Sequence, residues 1–427
     1  MIQVKSLQTG IKFKDTPIGK IPVDWEAAKL GDVVLAFYNG GTPNTKIKEY
    51  WDGNIPWITG ADFLDQKVSQ IRKHITHKGV TNSATNIIPK GNLLVVTRTG
   101  VGKFAIAPFD IAISQDITGV IVDQHKTTSD FLYWYLNHHA KQLKTLKQGT
   151  SINGILREDL SSYLISLPPL LEQNKIAKIL TTVDDAIKET DAIIKKTKEI
   201  KKGLMQKLLT HGIGHKKFKK TEIGEIPVEW NAMKLGDLCS GKPEYGANVS
   251  AIDRNDNLPR YVRITDVSDN GHLLRNTWQS INRKAAEPYI LKEGDFLFAR
   301  SGATVGKTYL YRKEDGECAF AGYMIRFRPN PLKLLPEFLF QLAHSDFYYN
   351  WVKGMLRAGA QPNINGTEYS GLIIPKPPIN EQKEIISILS VIDKEIDNET
   401  NHKQYIETLK KSLMQVLLTG RIRVKLH

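Results

Sequence analysis

The sequence predicts an α+β protein: two pseudo-symmetric, mixed α/β heads separated by two long antiparallel helices of coiled-coil type, the whole pattern circularly repeated. Three observations carry this prediction. The chain is written twice. Each copy begins with short β-branched and aromatic runs broken by Gly, Asn and Pro. Each copy closes with a long stretch in which Gly and Pro all but vanish and apolar residues recur at helical spacing.

The repeat opens at Thr16–Val34 and Thr221–Cys239, identical at 12 of 19 positions without a gap. Both copies read Ile-Gly-x-Ile-Pro-Val-x-Trp, through Trp25 and Trp230, and then Lys-Leu-Gly-Asp. Both tryptophans look like core anchors. The runs Leu93–Thr97 and Phe296–Arg300 read as strands, and Arg98-Thr-Gly with Val101-Gly-Lys103 answers Arg300-Ser-Gly with Val305-Gly-Lys307. One short helix is expected in each head, near Ser129–Leu146 and Pro336–Val352. Ile152-Asn-Gly154 answers Ile364-Asn-Gly366.

Pro168-Pro169 and Pro377-Pro378 then suit a helix start. Ile176, Leu180, Val183, Ile187, Ile194 and Leu208 form a heptad-like stripe, as do Ile385, Leu389, Ile392, Ile396, Ile406, Leu409, Leu413 and Leu417. A helix over 172–209 would be roughly 57 Å long at ~1.5 Å per residue. A one-sided apolar stripe must be buried, most simply by each helix against the other. The alternative is that each packs only on its own head. After the second copy the chain reads Leu418-Thr-Gly-Arg-Ile-Arg423, and the opening Leu7-Gln-Thr-Gly-Ile-Lys-Phe13 continues that register. The two ends of the sequence are therefore expected to lie together.

The 427 residues are 41% hydrophobic and 24% charged, an ordinary globular balance. No run of about 18 apolar residues offers a membrane span. Met1–Lys5 has no signal-peptide pattern. The two cysteines, Cys239 and Cys318, form no disulfide framework and fit a reducing cytoplasm. Lys and Arg total 59 against 45 Asp and Glu, a net charge of +14 that favours a polyanionic partner, above all nucleic acid.

A search for bond-making chemistry returns little. Gly302 and Gly306 enclose three residues where a phosphate loop needs four, and the first copy lacks the following Ser or Thr. No dinucleotide fingerprint follows a strand. The Asn/Asp-Pro-Pro-aromatic motif of amino-methyltransferases is absent, because Leu167 and Lys376 precede the proline pairs. Asp24, Glu26 and Lys29 are not repeated as a nuclease cluster. His74/His77 and His138/His139 lack further ligands at metal spacing. The chain is expected to be no enzyme and to need no cofactor and no metal.

The repeated opener, the Leu-Gly-Asp after it and the Pro-Pro-x-x-Glu-Gln start of each long helix resemble the specificity subunits of type I restriction-modification systems, over nearly the whole chain. The resemblance implies a target recognition domain over 1–170, a spacer helix over 171–210, a second target recognition domain over 211–377, and a second helix with a C-terminal tail over 378–427. It implies double-stranded DNA as ligand, two methyltransferase subunits docked on the helices, and a motor-nuclease subunit in the full complex. Each head would read one half of an asymmetric bipartite site. Heads on one side of B-DNA need centres about one turn, ~34 Å, apart, which the helices could span.

DNA contacts are expected from Lys and Arg on phosphates and from polar side chains on base edges. In the first head the candidates are Asn44, Lys46, Arg98, Thr99, Lys103, Gln148, Thr150 and Asn153, with Ser151 beside them. In the second they are Arg300, Ser301, Lys307, Arg357, Gln361, Asn363 and Asn365. Gly40-Gly41 and Gly359 suggest loops that approach another backbone closely. Glu172, Gln173, Glu381 and Gln382 stand in first helical turns, where an acid complements the helix dipole, and are candidate partner contacts. The basic stretch 215–220 reads as a solvated linker. Two competing readings are a self-contained restriction enzyme or methyltransferase, and a DNA-binding scaffold or regulator of the same fold without a methyltransferase partner.

Overall fold

The structure is a computed structural model that describes residues 7–8, 12–64, 67–68, 70–145, 154–356 and 362–424. The chain divides into two compact units. Unit 1 comprises Met1–Asp191 with His402–His427, and unit 2 comprises Ala192–Asn401. Each unit thus takes one head, one half of the first long helix (Leu170–His211) and one half of the second (Ile379–Leu417).

In unit 1 the head is centred on a four-stranded antiparallel sheet in the order Phe104–Ile106, Leu93–Val96, Ile117–Val122, Val34–Asn39. Leu93–Val96 is buried along its whole length, which explains its continuous rather than alternating apolar run. A second sheet orders Asn86–Ile88, Ile111–Ile113, Trp51–Ile58 and Lys73–Ile75, with its central pair parallel. The repeated opener forms the hairpin Phe13–Thr16/Gly19–Pro22, and Glu26–Lys29 pairs with Leu164–Leu167.

Unit 2 repeats the plan. Its main sheet runs Thr308–Leu310, Phe296–Ala299, Met324–Phe327, Glu244–Tyr245. Arg260–Val262 lies parallel to Cys318–Phe320, the opener hairpin recurs as Phe218–Thr221/Gly224–Pro227, and Asn231–Lys234 pairs with Ile373–Lys376.

The single short helix expected in each head is two helices. In unit 1 these are Ser129–His138 and Ala140–Thr145, and in unit 2 Pro336–Ala343 and Asp346–Met355. The break in unit 2 falls at Ser345, whose hydroxyl caps the next helix by accepting from Tyr348 N.

Within each unit the long helices bury their stripes both against each other and against the head. In unit 1, Ile176, Ala177 and Leu180 share one core with Leu417, Leu418, Trp25, Phe131 and Tyr135. Lys403 meets Asp191 and Lys410 meets Asp184, both at 2.6 Å, so the partner's numbering rises as the first helix's falls and the pair is antiparallel. In unit 2, Met205, Leu208 and Leu209 join Ile385, Leu389, Trp230 and Phe338, and Lys201 meets Asp393 at 2.6 Å. The two ends of the sequence meet in unit 1, where Leu7–Gln8 pairs antiparallel with Arg423–Val424.

Candidate nucleic-acid interface

The head of each unit is fastened to its helix pair by a buried latch. In unit 1 the indole of Trp25 donates from Nε1 to Glu172 Oε2 at 3.0 Å. Arg423 closes on the same carboxylate with Nε and Nη2, each at 2.7 Å, and its Nη1 and Nη2 reach Asp24 at 2.7 and 2.6 Å. The hydrogen bond from Arg423 holds the Asp24 carboxyl below the ordinary aspartate range. In unit 2 Trp230 Nε1 donates to Glu381 Oε2 at 2.8 Å, and His215 bridges Glu381 at 2.9 Å and Glu229 at 3.1 Å. Asp24 and Glu229 each precede the tryptophan, so the same four-membered device recurs with Arg423 in one copy and His215 in the other.

The neighbouring glutamine completes the fastening. Gln173 Oε1 accepts from Thr127 Oγ1 (2.8 Å) and Thr128 N (3.2 Å), while its Nε2 donates to Lys126 O and Pro168 O. That is the full capacity of a side-chain amide. Gln382 accepts from Leu335 N (2.9 Å) and donates to Lys333 O and Pro377 O. Glu172, Gln173 and Gln382 have no exposed surface, and Glu381 is largely covered. In this geometry the four side chains expected at a partner surface are spent on bonds inside the chain, and the three that are fully covered offer a partner nothing to touch. Sequence reasoning set Asp24 aside as an unrepeated nuclease carboxylate, gave Arg423 and Glu229 no role, and read His215 as part of a solvated linker, whereas the structure covers His215 in the latch and pairs Phe218–Thr221 in a hairpin.

The candidate DNA-facing loops gather at one end of each main sheet. In unit 1, Arg98 and Thr99 follow the strand Leu93–Val96 and are exposed. Asn44 and Lys46 are exposed on the loop after Val34–Asn39, where Asn44 Oδ1 accepts from Lys46 N at 3.0 Å. Gly40 and Gly41 hold that loop down: a Cβ on Gly40 would collide with the carbonyls of Ile113 and Ser114, and one on Gly41 with the backbone of Ala84 and Thr85. Gly246 makes the same approach to Phe320 and Ala321 in unit 2.

Two lysines behave differently from expectation. Lys103 Nζ donates to the carbonyls of Gly60 (3.3 Å) and Phe63 (3.2 Å). Lys307 Nζ donates to Val267 O (3.0 Å) and pairs with Asp269 (2.9 Å). Both ammonium groups are committed to a preceding loop of their own head, so they act as struts.

In unit 2, Arg300 is half-buried, with its guanidinium 4.9 Å from the ring centroid of Tyr245. Ser301 bridges to Asn363, and Asn363 is exposed. Asn365 caps the helix Gly366–Ser370, accepting from Thr367 N and Glu368 N at 2.9 and 3.0 Å. Tyr323, exposed, and Tyr245, half-exposed, flank Arg300 and were not singled out from the sequence. The strand register also shifts two equivalences: Thr97 O accepts from Ile155 N as Arg300 O accepts from Ile364 N, so Thr97 rather than Arg98 answers Arg300, and Ile155 rather than Ile152 answers Ile364. Gln148, Thr150, Ser151, Asn153, Arg357, Gly359 and Gln361 lie outside the described residues. Among the described residues no group of three or more His, Cys, Asp or Glu is placed to hold a metal ion, and no helix is long and apolar enough to cross a membrane.

Comparison with known proteins agrees with this duplicated plan. The family model described as the type I restriction modification DNA specificity domain matches twice, at residues 22–201 and 227–408. The type I restriction enzyme MjaVIII specificity subunit of Methanocaldococcus jannaschii is 30% identical over 422 residues, covering 97% of this chain and 96% of that protein. The EcoKI specificity subunit of Escherichia coli is 23% identical, over 89% and 86% of the two chains. Among solved structures, the S subunit of a type I restriction-modification system from M. genitalium superposes with a TM-score of 0.61 at 13% identity, over 96% of this chain and 99% of that one.

Proposed function

This chain belongs to the type I restriction-modification DNA specificity family, and we propose that it reads DNA for a methyltransferase and endonuclease complex without making or breaking bonds itself. Each head reads one half of an asymmetric bipartite site, and the long helices set the spacing between the halves. The observation that carries this reading is the pair of heads built on one strand plan yet differing in their loops. A common frame with different tips suits two different short sequences. Arg98, Thr99, Asn44 and Lys46 supply contacts in the first head, and Arg300 on Tyr245, with Ser301, Tyr323 and Asn363, in the second. An arginine held over an aromatic ring is pre-organised for a guanine edge or a phosphate. Gln148, Thr150, Asn153, Arg357 and Gln361 remain candidates for DNA contact from the sequence alone.

Partner subunits dock on the long helices: two methyltransferase subunits, with a motor-nuclease subunit in the full complex. The helices keep large apolar side chains in water, among them Ile193, Ile200, Ile388 and Val391 in unit 2 and Tyr405 in unit 1. Ile193 and Ile200 stand two turns apart and Ile388 and Val391 one turn apart, so each pair shares a helix face, and apolar residues grouped on one exposed face suit an interaction surface. The complex works in the cytoplasm, where its DNA lies. Co-expression with the cognate methyltransferase and mapping of N6-methyladenine across the host genome tests the reading. One split, asymmetric motif is expected. Methylation without the partner, or an intact complex that methylates no motif, would overturn it.

A further inference from the structure

The two units share one frame, and at one matched position, beside a cleft in unit 2, they differ sharply in side chain. Thr128 N and Leu335 N donate to Oε1 of Gln173 and Gln382, which fixes the register of the head helices: Trp134 in unit 1 answers Gln341 in unit 2. Along the long helices the same register sets Thr181 against Ser390, Asp184 against Asp393 and Lys410 against Lys201.

In unit 1 the indole of Trp134 is buried. Its Nε1 donates to Thr181 Oγ1 at 3.0 Å, it meets Tyr133 edge-on at 5.0 Å, and Lys410 Nζ, held by Asp184, lies 4.9 Å from the ring centroid. The site is an indole seat with an acceptor, an aromatic wall and a cation over the ring.

Unit 2 keeps the seat and lacks the indole. Gln341 is 5% exposed; its Nε2 donates to Asp393 at 2.9 Å, and Asp393 holds Lys201. Its Oε1 is buried with no hydrogen-bond partner among the described residues. Beside it lies a cleft of about 660 Å³, lined by Met205, Leu209, Phe340, His344, Ile386 and Ser390 together with charged side chains that include Arg312 and Lys394, a size typical of small-ligand sites. A buried acceptor without a donor carries a desolvation cost that a ligand N–H would relieve. Burial pushes the His344 imidazole down to about 4, so that ring presents an uncharged face to the cleft near neutral pH.

We propose that this cleft binds a small planar aromatic molecule bearing a ring N–H, taking the place that Trp134 fills in the other copy. The ring N–H donates to Gln341 Oε1, the ring meets Phe340 as Trp134 meets Tyr133, and Lys201 lies over its face. Full-length protein titrated with indole, by calorimetry and saturation-transfer NMR, tests this. One saturable equivalent is expected. Gln341→Trp, which fills the cleft from within, should weaken binding at least tenfold. Trp134→Gln, which empties the matching seat in unit 1, should add a second equivalent. Naphthalene, flat but without an N–H, should bind more weakly than indole. No saturable binding, binding unmoved by Gln341→Trp, or equal binding of naphthalene would overturn the proposal. So would binding of N-acetyl-tryptophanamide but not indole, because it would make the cleft a seat for a partner protein's side chain.

Discussion

Replacing Arg423 by alanine should unfasten one head and leave the other in place. Glu172 has no exposed surface. Its two 2.7 Å bonds from the Arg423 guanidinium are the strongest compensation it has. Without them it keeps the Trp25 indole N–H at 3.0 Å and a 3.4 Å contact from Val424 N. Stranding a buried carboxylate by removing its partner costs about 3–5 kcal/mol. Asp24 is half in water, so the outer half of the fork adds little. A domain is stable by only about 5–15 kcal/mol, so this loss is a large share of the total. Amide hydrogen exchange resolves where it falls. Protection in Leu93–Val96 and Ile117–Val122 should drop by roughly two to four orders of magnitude, at about 1.4 kcal/mol per tenfold. Phe296–Ala299 and Met324–Phe327 should hold theirs. Adding Glu172→Gln should restore part of the loss, because an amide needs no counter-charge. A loss below about 1 kcal/mol, a loss shared equally by both units, or no rescue by the glutamine would refute the latch.

Further outcomes follow from the same geometry. Burial lowers the folded value for His344 from 6.5 to about 4, so the unfolded chain binds the extra proton first. The stability of unit 2 is then full above about pH 6.5 and falls towards pH 4, by about 3 kcal/mol from this group. His344→Asn, the residue unit 1 carries at the matching Asn137 with the same backbone bond, should flatten that slope in pH-dependent denaturant melts. Arg98→Ala should weaken DNA binding and lower the salt slope by about one, whereas Lys103→Ala should lower thermal stability and leave the salt slope unchanged, since its ammonium holds carbonyls. Gly40→Ala should destabilise unit 1 and impair only the half-site read by the first head, because the added Cβ meets the backbone of Ile113 and Ser114.

Heads and helices were legible because the relevant signals are local. The repeat of Thr16–Val34 in Thr221–Cys239 declares two copies, and the stripe through Ile176, Leu180 and Val183 declares a helix with a buried face. The same stripe could not say that one helix serves both units, half with each. The latch was illegible for a different reason. Glu172 in a first helical turn looks like a dipole partner, and nothing near it in sequence announces Trp25 or Arg423. Lys103 and Lys307 sit in glycine-rich turns that look solvated. Whether an ammonium there meets water or a carbonyl depends on where the loops at Gly60–Phe63 and Val267 fold back. Tyr245 and Tyr323 gain meaning only when the sheet brings them beside Arg300. The Trp134 and Gln341 pair is invisible until Gln173 and Gln382 fix the register, because their neighbours in sequence do not align.

Two independent heads on one frame should read two independent half-sites. Exchanging residues 1–170 for the matching head of another family member, in cells that also carry the cognate methyltransferase, tests it most directly through the methylation map. The expected motif changes in one half, keeps the other half, and leaves the gap between them unaltered. A motif that changes in both halves, or a gap that changes with the head, would contradict it.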